Sequence, residues 1–293
     1  MKKTIKFINL IKVISTLGPY SFSYKLACLL SDLYSPRHSE DNTVLNNIKN
    51  SKIDLRGDSL NTIFKKYHHH IAINYLNTFL YKKLKPNWVS NNISFDGLEH
   101  LQRDNKQGIL VLTAHQHSLM MLGVAFGLIG NKTHPVLLDP AETVPDSLKA
   151  YFKTAIKDSA VHYNNGNYIL VRMAPSYTRS IYHTFNQGNM IISANDFPKN
   201  IAPKRRIDIP FFEQHISCPT GTIEIALKTQ SKIVTAFISK GINTPFHISI
   251  KPISLKEKNL NDIVQQYGSH LQQAIETDIG AWEGWKWDNL FND

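Results

Sequence analysis

Ile109-Leu110-Val111-Leu112 is a continuous apolar run, introduced by Gly108 and closed by Thr113, and it constrains the fold more than any other segment. A strand with no polar face has to be covered on both sides, as a central strand of a helix-flanked parallel sheet is. The surrounding sequence fits that setting. Ile93-Ser94-Phe95 reads as a short strand, followed by a turn at Asp96-Gly97 and a helix from Leu98. After the apolar run, a helix is expected from Leu119 to about Ile129, then strands at Pro135–Leu138, Tyr168–Val171 and Met190–Ser193. Helices at 146–158 and 176–187 separate them, the second ending at Gly188. Further strands are expected at Ile207–Phe212, Ile233–Ile238 and His247–Ile253, with helices at Thr220–Lys228 and 259–277. This alternation predicts an α/β fold, a single layered αβα domain with a mainly parallel central sheet.

The first ninety residues read differently, as helix throughout. Phe22, Leu26, Leu29, Leu30 and Leu33 recur at helical spacing, and Pro36 stops them. Asp58 or Ser59 caps a second long helix whose Ile63, Phe64, Tyr67, Ile71, Tyr75, Leu76 and Phe79 recur every three or four residues. Residues 1–92 are thus expected to form a helical, membrane-associating extension, and residues 93–293 the α/β domain, the two making one compact unit. Membrane association rests on Lys2, Lys3, Lys6 and Lys12 interleaved with Ile5, Phe7, Ile8, Leu10, Ile11, Val13 and Ile14. A basic amphipathic segment of this kind lies in a headgroup region with its lysines on anionic lipid, although a core-covering helix has the same pattern. No stretch of eighteen apolar residues is present to predict a spanning helix.

Charge narrows the partners. The chain carries 33 Lys and Arg against 23 Asp and Glu, a formal net charge of +10. That surplus calls for an anionic partner: nucleic acid, an acidic carrier protein or a phospholipid surface. No aromatic RNA-binding motif, zinc finger or recognition-helix signature supports the first, and nucleic acid is not expected. Two cysteines, Cys28 and Cys218, make no disulfide framework and fit a reducing compartment.

His115 follows the apolar strand directly, where open α/β sheets bind ligands, and a histidine there can act as general base or simply cap the turn. His117 lies two residues on. His68, His69 and His70 are consecutive on a helix, point about 100° apart and make a poor metal site, so no metal is expected. Lys199, Lys204, Arg205 and Arg206 crowd a proline-containing loop, either as a solvated surface or as an anion site. Cys218 reads as an inert small residue rather than a nucleophile.

The order of these elements resembles the lysophospholipid acyltransferase superfamily, in particular the bacterial lipid A late (lauroyl/myristoyl) acyltransferases. Gly108 to His115 is similar to that branch's apolar strand and histidine, and Asn186 to Asp196 to its later helix end, strand and Asp. Ile207-Asp208-Ile209-Pro210-Phe211-Phe212 is similar to its strand ending in paired Phe. Thr220-Gly221-Thr222 resembles the start of the following helix, and Ala281 to Trp287 the aromatic C-terminal motif. The resemblance implies transfer of a fatty acyl group from an acyl thioester, on acyl carrier protein or coenzyme A, to a hydroxyl or amine of a lipid-like acceptor. It implies no cofactor beyond that thioester, and a peripheral place on the cytoplasmic face of the bacterial inner membrane. His115, His117 and Asp196 would be the catalytic residues. Lys204, Arg205, Arg206, Phe211 and Phe212 would bind substrate, with Lys149 as another phosphate or carrier contact.

One position departs from the pattern. The acid expected after four intervening residues from His115 is Met120, which can neither orient an imidazole nor stabilise its charge. Asp196, Glu142 or Asp139 would have to substitute in space, or His117 would share the role, or the chain would bind lipid or carrier without transferring anything.

Overall fold

The computed structural model describes residues 2–34, 41–102, 107–139, 145–171, 176–197, 205–255 and 259–291. In chain order the helices are α1 (Lys2–Ile14), α2 (Tyr20–Tyr34), α3 (Asp41–Ser51), α4 (Leu60–Leu80), α5 (Pro86–Asn92), α6 (Leu119–Leu128), α7 (Asp146–Ala160), α8 (Ser176–Asn186), α9 (Gly221–Lys228) and α10 (Leu260–Thr277). The strands are β1 (Ile93–Asp96), β2 (Ile109–Thr113), β3 (Thr133–Leu138), β4 (Ile169–Val171), β5 (Met190–Ala194), β6 (Arg206–Phe211), β7 (Gln214–Pro219), β8 (Lys232–Ser239) and β9 (Phe246–Pro252).

Seven of these strands form one sheet in the order β1-β9-β8-β2-β5-β3-β4. All neighbours are parallel except β8 and β9, so β1 and β9 run against the other five. The apolar strand β2 lies in the middle, between β8 and β5, with every residue buried. Its alternate side chains feed two cores. Leu110 and Leu112 join Phe185, Ile223, Tyr267, Trp282 and Trp285 on one face, whereas Ile109 and Val111 join Val124, Phe126, Tyr163 and Phe246 on the other. That double burial is what an apolar run without alternation requires.

The N-terminal helices make a third cluster, in which Phe7 and Ile11 of α1 and Ala27 of α2 pack on Ala72, Ile73 and Leu76 of α4. Helix α4 starts at Ser59, whose hydroxyl accepts from Thr62 N at 3.1 Å. Its other end reaches the centre of the sheet through Asn77, which donates to Ser118 Oγ at 2.9 Å. Gly188 ends α8 with φ +72°, a left-handed conformation that lets the chain turn straight into β5.

Two segments differ from expectation. Leu98–Leu101 is a short 3-10 turn rather than a longer helix. Residues 206–211 do not join the main sheet: they pair antiparallel with Gln214–Pro219, a strand the sequence did not reveal. The hairpin turns at Phe212, whose φ is +54°, and directs Ile209 and Phe211 of one strand and Ile216 and Cys218 of the other into the core.

Candidate active site

Parallel pairing brings the first two site residues together. Thr113 and Ala194 are register partners at the ends of β2 and β5, and two residues past each lie His115 and Asp196. Asn195 N donates to Thr113 O at 3.0 Å, which carries the alignment beyond the strands. His115 Nδ1 then lies 2.8 Å from Asp196 Oδ1, and His115 N donates to Asp196 Oδ2, also at 2.8 Å. A third donor, Trp282 Nε1, reaches Oδ2 at 2.8 Å.

The Asp196 side chain is wholly buried, while that of His115 is 23 % exposed. The backbone N–H of His115 and the indole N–H of Trp282 can only donate, which sets the Asp196 carboxyl as an acceptor, and the Nδ1–H of His115 completes the set as the third donor. That tautomer leaves Nε2 with a lone pair, and Nε2 has no protein partner among the described residues. Phe197 and Trp287 flank the imidazole edge-on, with ring centroids 4.6 and 5.5 Å away.

The C-terminal segment completes the site. Gln116 and Trp282 form an antiparallel bridge: His117 N donates to Ala281 O and Glu283 N to His115 O, both at 2.7 Å. The pairing aims the Trp282 indole at Asp196 and brings the Glu283 carboxylate to the same cavity as His115. Glu283 Oε1 accepts from Asn74 Nδ2 and Oε2 from Lys286 Nζ, each at 2.8 Å. Burial pushes the Glu283 carboxyl up, but Lys286, His115 and Asn74 together outweigh it and hold the group below its ordinary value.

His115 opens on a cavity of about 580 Å³. Its walls come from α4 (Ile71, Asn74, Tyr75, Thr78), α6 (Leu119, Met120, Gly123), β3 (Pro135, Val136, Leu137) and α7 (Leu148, Tyr151, Phe152, Ala155), with Tyr163 and Tyr168 beyond. Among the described residues, Glu283 and Lys286 are the only Asp, Glu, Lys or Arg side chains in the lining. Met120, where an acid was expected, is one of the apolar wall residues. The carboxylate that meets His115 comes from Asp196 instead.

Other expected site residues lie elsewhere. His117 is turned away by a backbone φ of +51° and is buried against His70 and Phe246, with ring centroids 4.6 and 5.5 Å away. Neither of its ring nitrogens has a partner among the described residues. Burial, and then neighbouring His70, push its pKa down to about 3, so it stays neutral. Phe211 is a core residue packed on Trp282 at 5.1 Å, and Phe212 forms the hairpin turn, so neither lines the cavity. Paired aromatics at a strand end serve packing here, because the hairpin lies against α10 rather than over the cavity.

Arg206 is drawn into the hairpin, where it donates to Ser217 Oγ, Ser217 O and Phe197 O. Arg205 lies 3.3 Å from Glu224, and Lys149 pairs with Asp146. Lys204, Lys199 and Glu142 lie outside the described residues. Asp139 sits at the end of β3, its backbone N–H on Val171 O. The three consecutive histidines diverge: His68 meets the Phe64 and Tyr67 rings, His69 meets Asp32 and His70 meets Asp278. Cys218 is fully buried, and burial pushes its thiol far up, which makes it a poor nucleophile.

Asn74, Trp282, Glu283 and Lys286 were not singled out from sequence as individual site residues. The only sequence signal for the last three was the dense aromatic motif at 281–287.

The profile of the bacterial lipid A biosynthesis acyltransferases matches residues 4–287. The chain belongs to that family. Its members are acyltransferases of lipid biosynthesis. Among solved structures, the 1-acyl-sn-glycerophosphate (LPA) acyltransferase PlsC from Thermotoga maritima is similar at 14% identity, over 89% of this chain and 99% of that one, with a TM-score of 0.41. No curated protein sequence gives a match.

Proposed function

We propose that this acyltransferase moves a fatty acyl group from an acyl thioester, on acyl carrier protein or coenzyme A, to a hydroxyl or amine of a lipid acceptor, with His115 as general base. The observation that carries this reading is the 2.8 Å contact between His115 Nδ1 and a buried Asp196 at the mouth of an apolar cavity. With Nδ1–H fixed on Asp196, Nε2 takes the proton of the acceptor as its oxygen or nitrogen attacks the thioester carbon. Collapse of the tetrahedral intermediate breaks the C–S bond, and the leaving thiolate takes the proton back from Nε2. Asp196 stabilises the imidazolium formed in between. Leu119, Met120, Val136, Leu148 and Phe152 offer the acyl chain an apolar lining. The Asp196 contact supports this reading over a homologue that only binds lipid, the alternative that Met120 suggests.

The reaction is placed at the cytoplasmic face of the inner membrane, with the protein bound peripherally. Among the described residues no helix is long and apolar enough to cross a membrane. Helix α1 buries Phe7 and Ile11 but exposes Ile5, Leu10 and Val13 together with Lys3, Lys6 and Lys12. Leu17 and, on α2, Phe22, Leu29 and Leu33 extend the exposed apolar surface, with Lys25 exposed beside them. Lysines interspersed with exposed aliphatics suit an anionic headgroup layer.

The test is transfer of labelled acyl groups from acyl-CoA or acyl-acyl carrier protein to lipids in vesicles containing anionic phospholipid and a glycolipid acceptor. Label in lipid with at least one donor supports the reading. Background incorporation with both donors, across hydroxyl and amine acceptors, overturns it.

A further inference from the structure

Parallel register puts the connection between β8 and β9 on the same edge of the sheet as His115. Thr235 of β8 pairs with Leu112 of β2, so Ser239, four residues on, reaches the level of Gln116. Residues 240–245 therefore leave the sheet beside the candidate active site. They form a firm turn. Thr244 Oγ1 donates to Phe246 O at 2.7 Å and lies 3.1 Å from Ser94 Oγ of β1. A Cβ on Gly241 would stand 2.6 Å from Thr244 O, so the close approach needs glycine. At the tip Ile242 is 100 % exposed, more than any other large apolar side chain among the described residues, and Lys240 is exposed near it. One exposed aliphatic is ordinary on a protein surface, so the neighbours decide what it means.

The neighbour is α2. Successive residues of a helix turn by about 100°, which gives α2 three distinct sides. Ser23 and Ala27 face α1 and α4: Ser23 Oγ donates to Ile14 O at 3.0 Å, and Ala27 packs with Phe7, Ile11 and Leu76. Tyr20, Tyr24 and Cys28, spaced by four, face the β8–β9 turn. Tyr20 meets the Phe246 ring at 5.6 Å, and Lys240 is near enough to Cys28 to oppose the upward push of burial on its thiol. Phe22, Lys25, Leu29 and Leu33 make the third side and are exposed. That side lies between α1 and the turn that carries Ile242. Asp32, the acid of α2, is paired with Lys65 and His69 and leaves the basic character of the surface intact.

We infer that the β8–β9 turn is a further lipid contact, with Ile242 inserted below the headgroups and Lys240 on anionic lipid, so that α1, α2 and this turn make one footprint. The inference rests on the peripheral-membrane reading. An anionic bilayer is the occupant that matches the chemistry, because it offers hydrocarbon to the aliphatic tips and negative charge to the lysines between them. Two helices alone leave the protein free to tilt about their line. A third contact at the carboxyl edge of the sheet fixes which edge meets the lipid, and it is the edge that carries His115. A turn already held by Thr244 and Gly241 has little order left to gain on insertion.

The experiment uses the full chain and phosphatidylcholine vesicles with and without phosphatidylglycerol. An environment-sensitive dye is attached at Ile242→Cys in a Cys28→Ser background, or at Lys228→Cys in the same background, an exposed position at the opposite end of the sheet. Cys218 is fully buried and escapes labelling. On phosphatidylglycerol vesicles the dye at 242 is expected to shift to the blue and to be quenched by brominated acyl chains, while the dye at 228 stays in water. Ile242→Asn is expected to weaken vesicle partition about tenfold, and Lys240→Gln about fivefold only where phosphatidylglycerol is present. A dye at 242 left in water on vesicle-bound protein overturns the inference, as does undiminished partition of Ile242→Asn. A response of that dye to protein concentration without vesicles marks a second copy of the chain as the occupant and also overturns it. Absence of vesicle binding by the wild type at every phosphatidylglycerol content instead defeats the peripheral-membrane reading beneath it.

Discussion

Replacing Asp196 by Asn should disable the base while leaving the fold nearly intact, and the hydrogen bonds say why. Asp196 Oδ2 accepts from two donors, His115 N and Trp282 Nε1, and Oδ1 accepts from one, His115 Nδ1. An asparagine has one oxygen and one NH2 at those places. Its oxygen settles where two donors converge, because the reverse orientation sets the NH2 against both. The NH2 then faces His115 Nδ1, which must become an acceptor, and the imidazole proton moves to Nε2. Nε2–H cannot accept a proton from the substrate. The expected loss is about 10²- to 10⁴-fold in kcat, the range of general-base catalysis. Folding loses little, about 1–2 kcal/mol, since two donors keep an acceptor and only the advantage of a charged one is lost. Asp196→Ala is the contrasting case. It strands all three donors in a buried place at about 1–3 kcal/mol each, roughly 3–9 kcal/mol in sum against a typical stability of about 5–15 kcal/mol. Initial rates of labelled acyl transfer give the first quantity and denaturant midpoints the second, while long-range ¹⁵N–¹H spectra of the imidazole report the tautomer. Asp196→Asn with a kcat within about threefold of wild type, or with the proton still on Nδ1, would refute this reasoning.

Other consequences follow from the same geometry. Met120→Glu restores the acid at its expected sequence position, yet it sets an unpaired carboxylate in an apolar wall. It should therefore lower acyl transfer at least tenfold rather than raise it, as initial rates would reveal. Trp282→Phe removes one of the three donors on Asp196 and should reduce stability by about 1–2 kcal/mol in urea unfolding, with a smaller loss of kcat than Asp196→Asn. His117 makes the protein acid-sensitive. Its pKa is pushed down to about 3 in the folded chain from an ordinary 6.5. Between those values only the unfolded chain binds the proton, so stability falls as pH drops below about 6.5, by about 1.4 kcal/mol per unit and about 2 kcal/mol by pH 5. His117→Asn, which tolerates the positive φ, should flatten that slope in denaturant titrations at pH 5 and 7.

The legible parts of the sequence were those governed by local pattern. β2 declared itself because four apolar residues in succession fit only a strand buried on both faces. His115 was legible because ligand sites gather at the ends of such strands. β7 was hidden, since Gln214-His215-Ile216-Ser217-Cys218 mixes polar and apolar residues too evenly to stand out. Asp196 was legible only as one of several candidates. Its meeting with His115 depends on β2 and β5 being parallel neighbours, and the order of strands in a sheet is a non-local property. The place of Phe211 in the core was not legible, because an aromatic pair reads alike whether it meets a ligand or a core. Glu283 and Lys286 lie more than 160 residues beyond His115, and the backbone bridge between Gln116 and Trp282, a non-local pairing, brings them to it.

The central claim is that His115, held by Asp196, removes the acceptor's proton. It is tested most directly by the turnover number of His115→Ala beside wild type, with saturating labelled acyl thioester, the same vesicle acceptor and equal amounts of folded protein. The expected result is a kcat lowered by about 10²- to 10⁴-fold with thioester binding preserved. Equal turnover in the two proteins, above the protein-free rate, would contradict it.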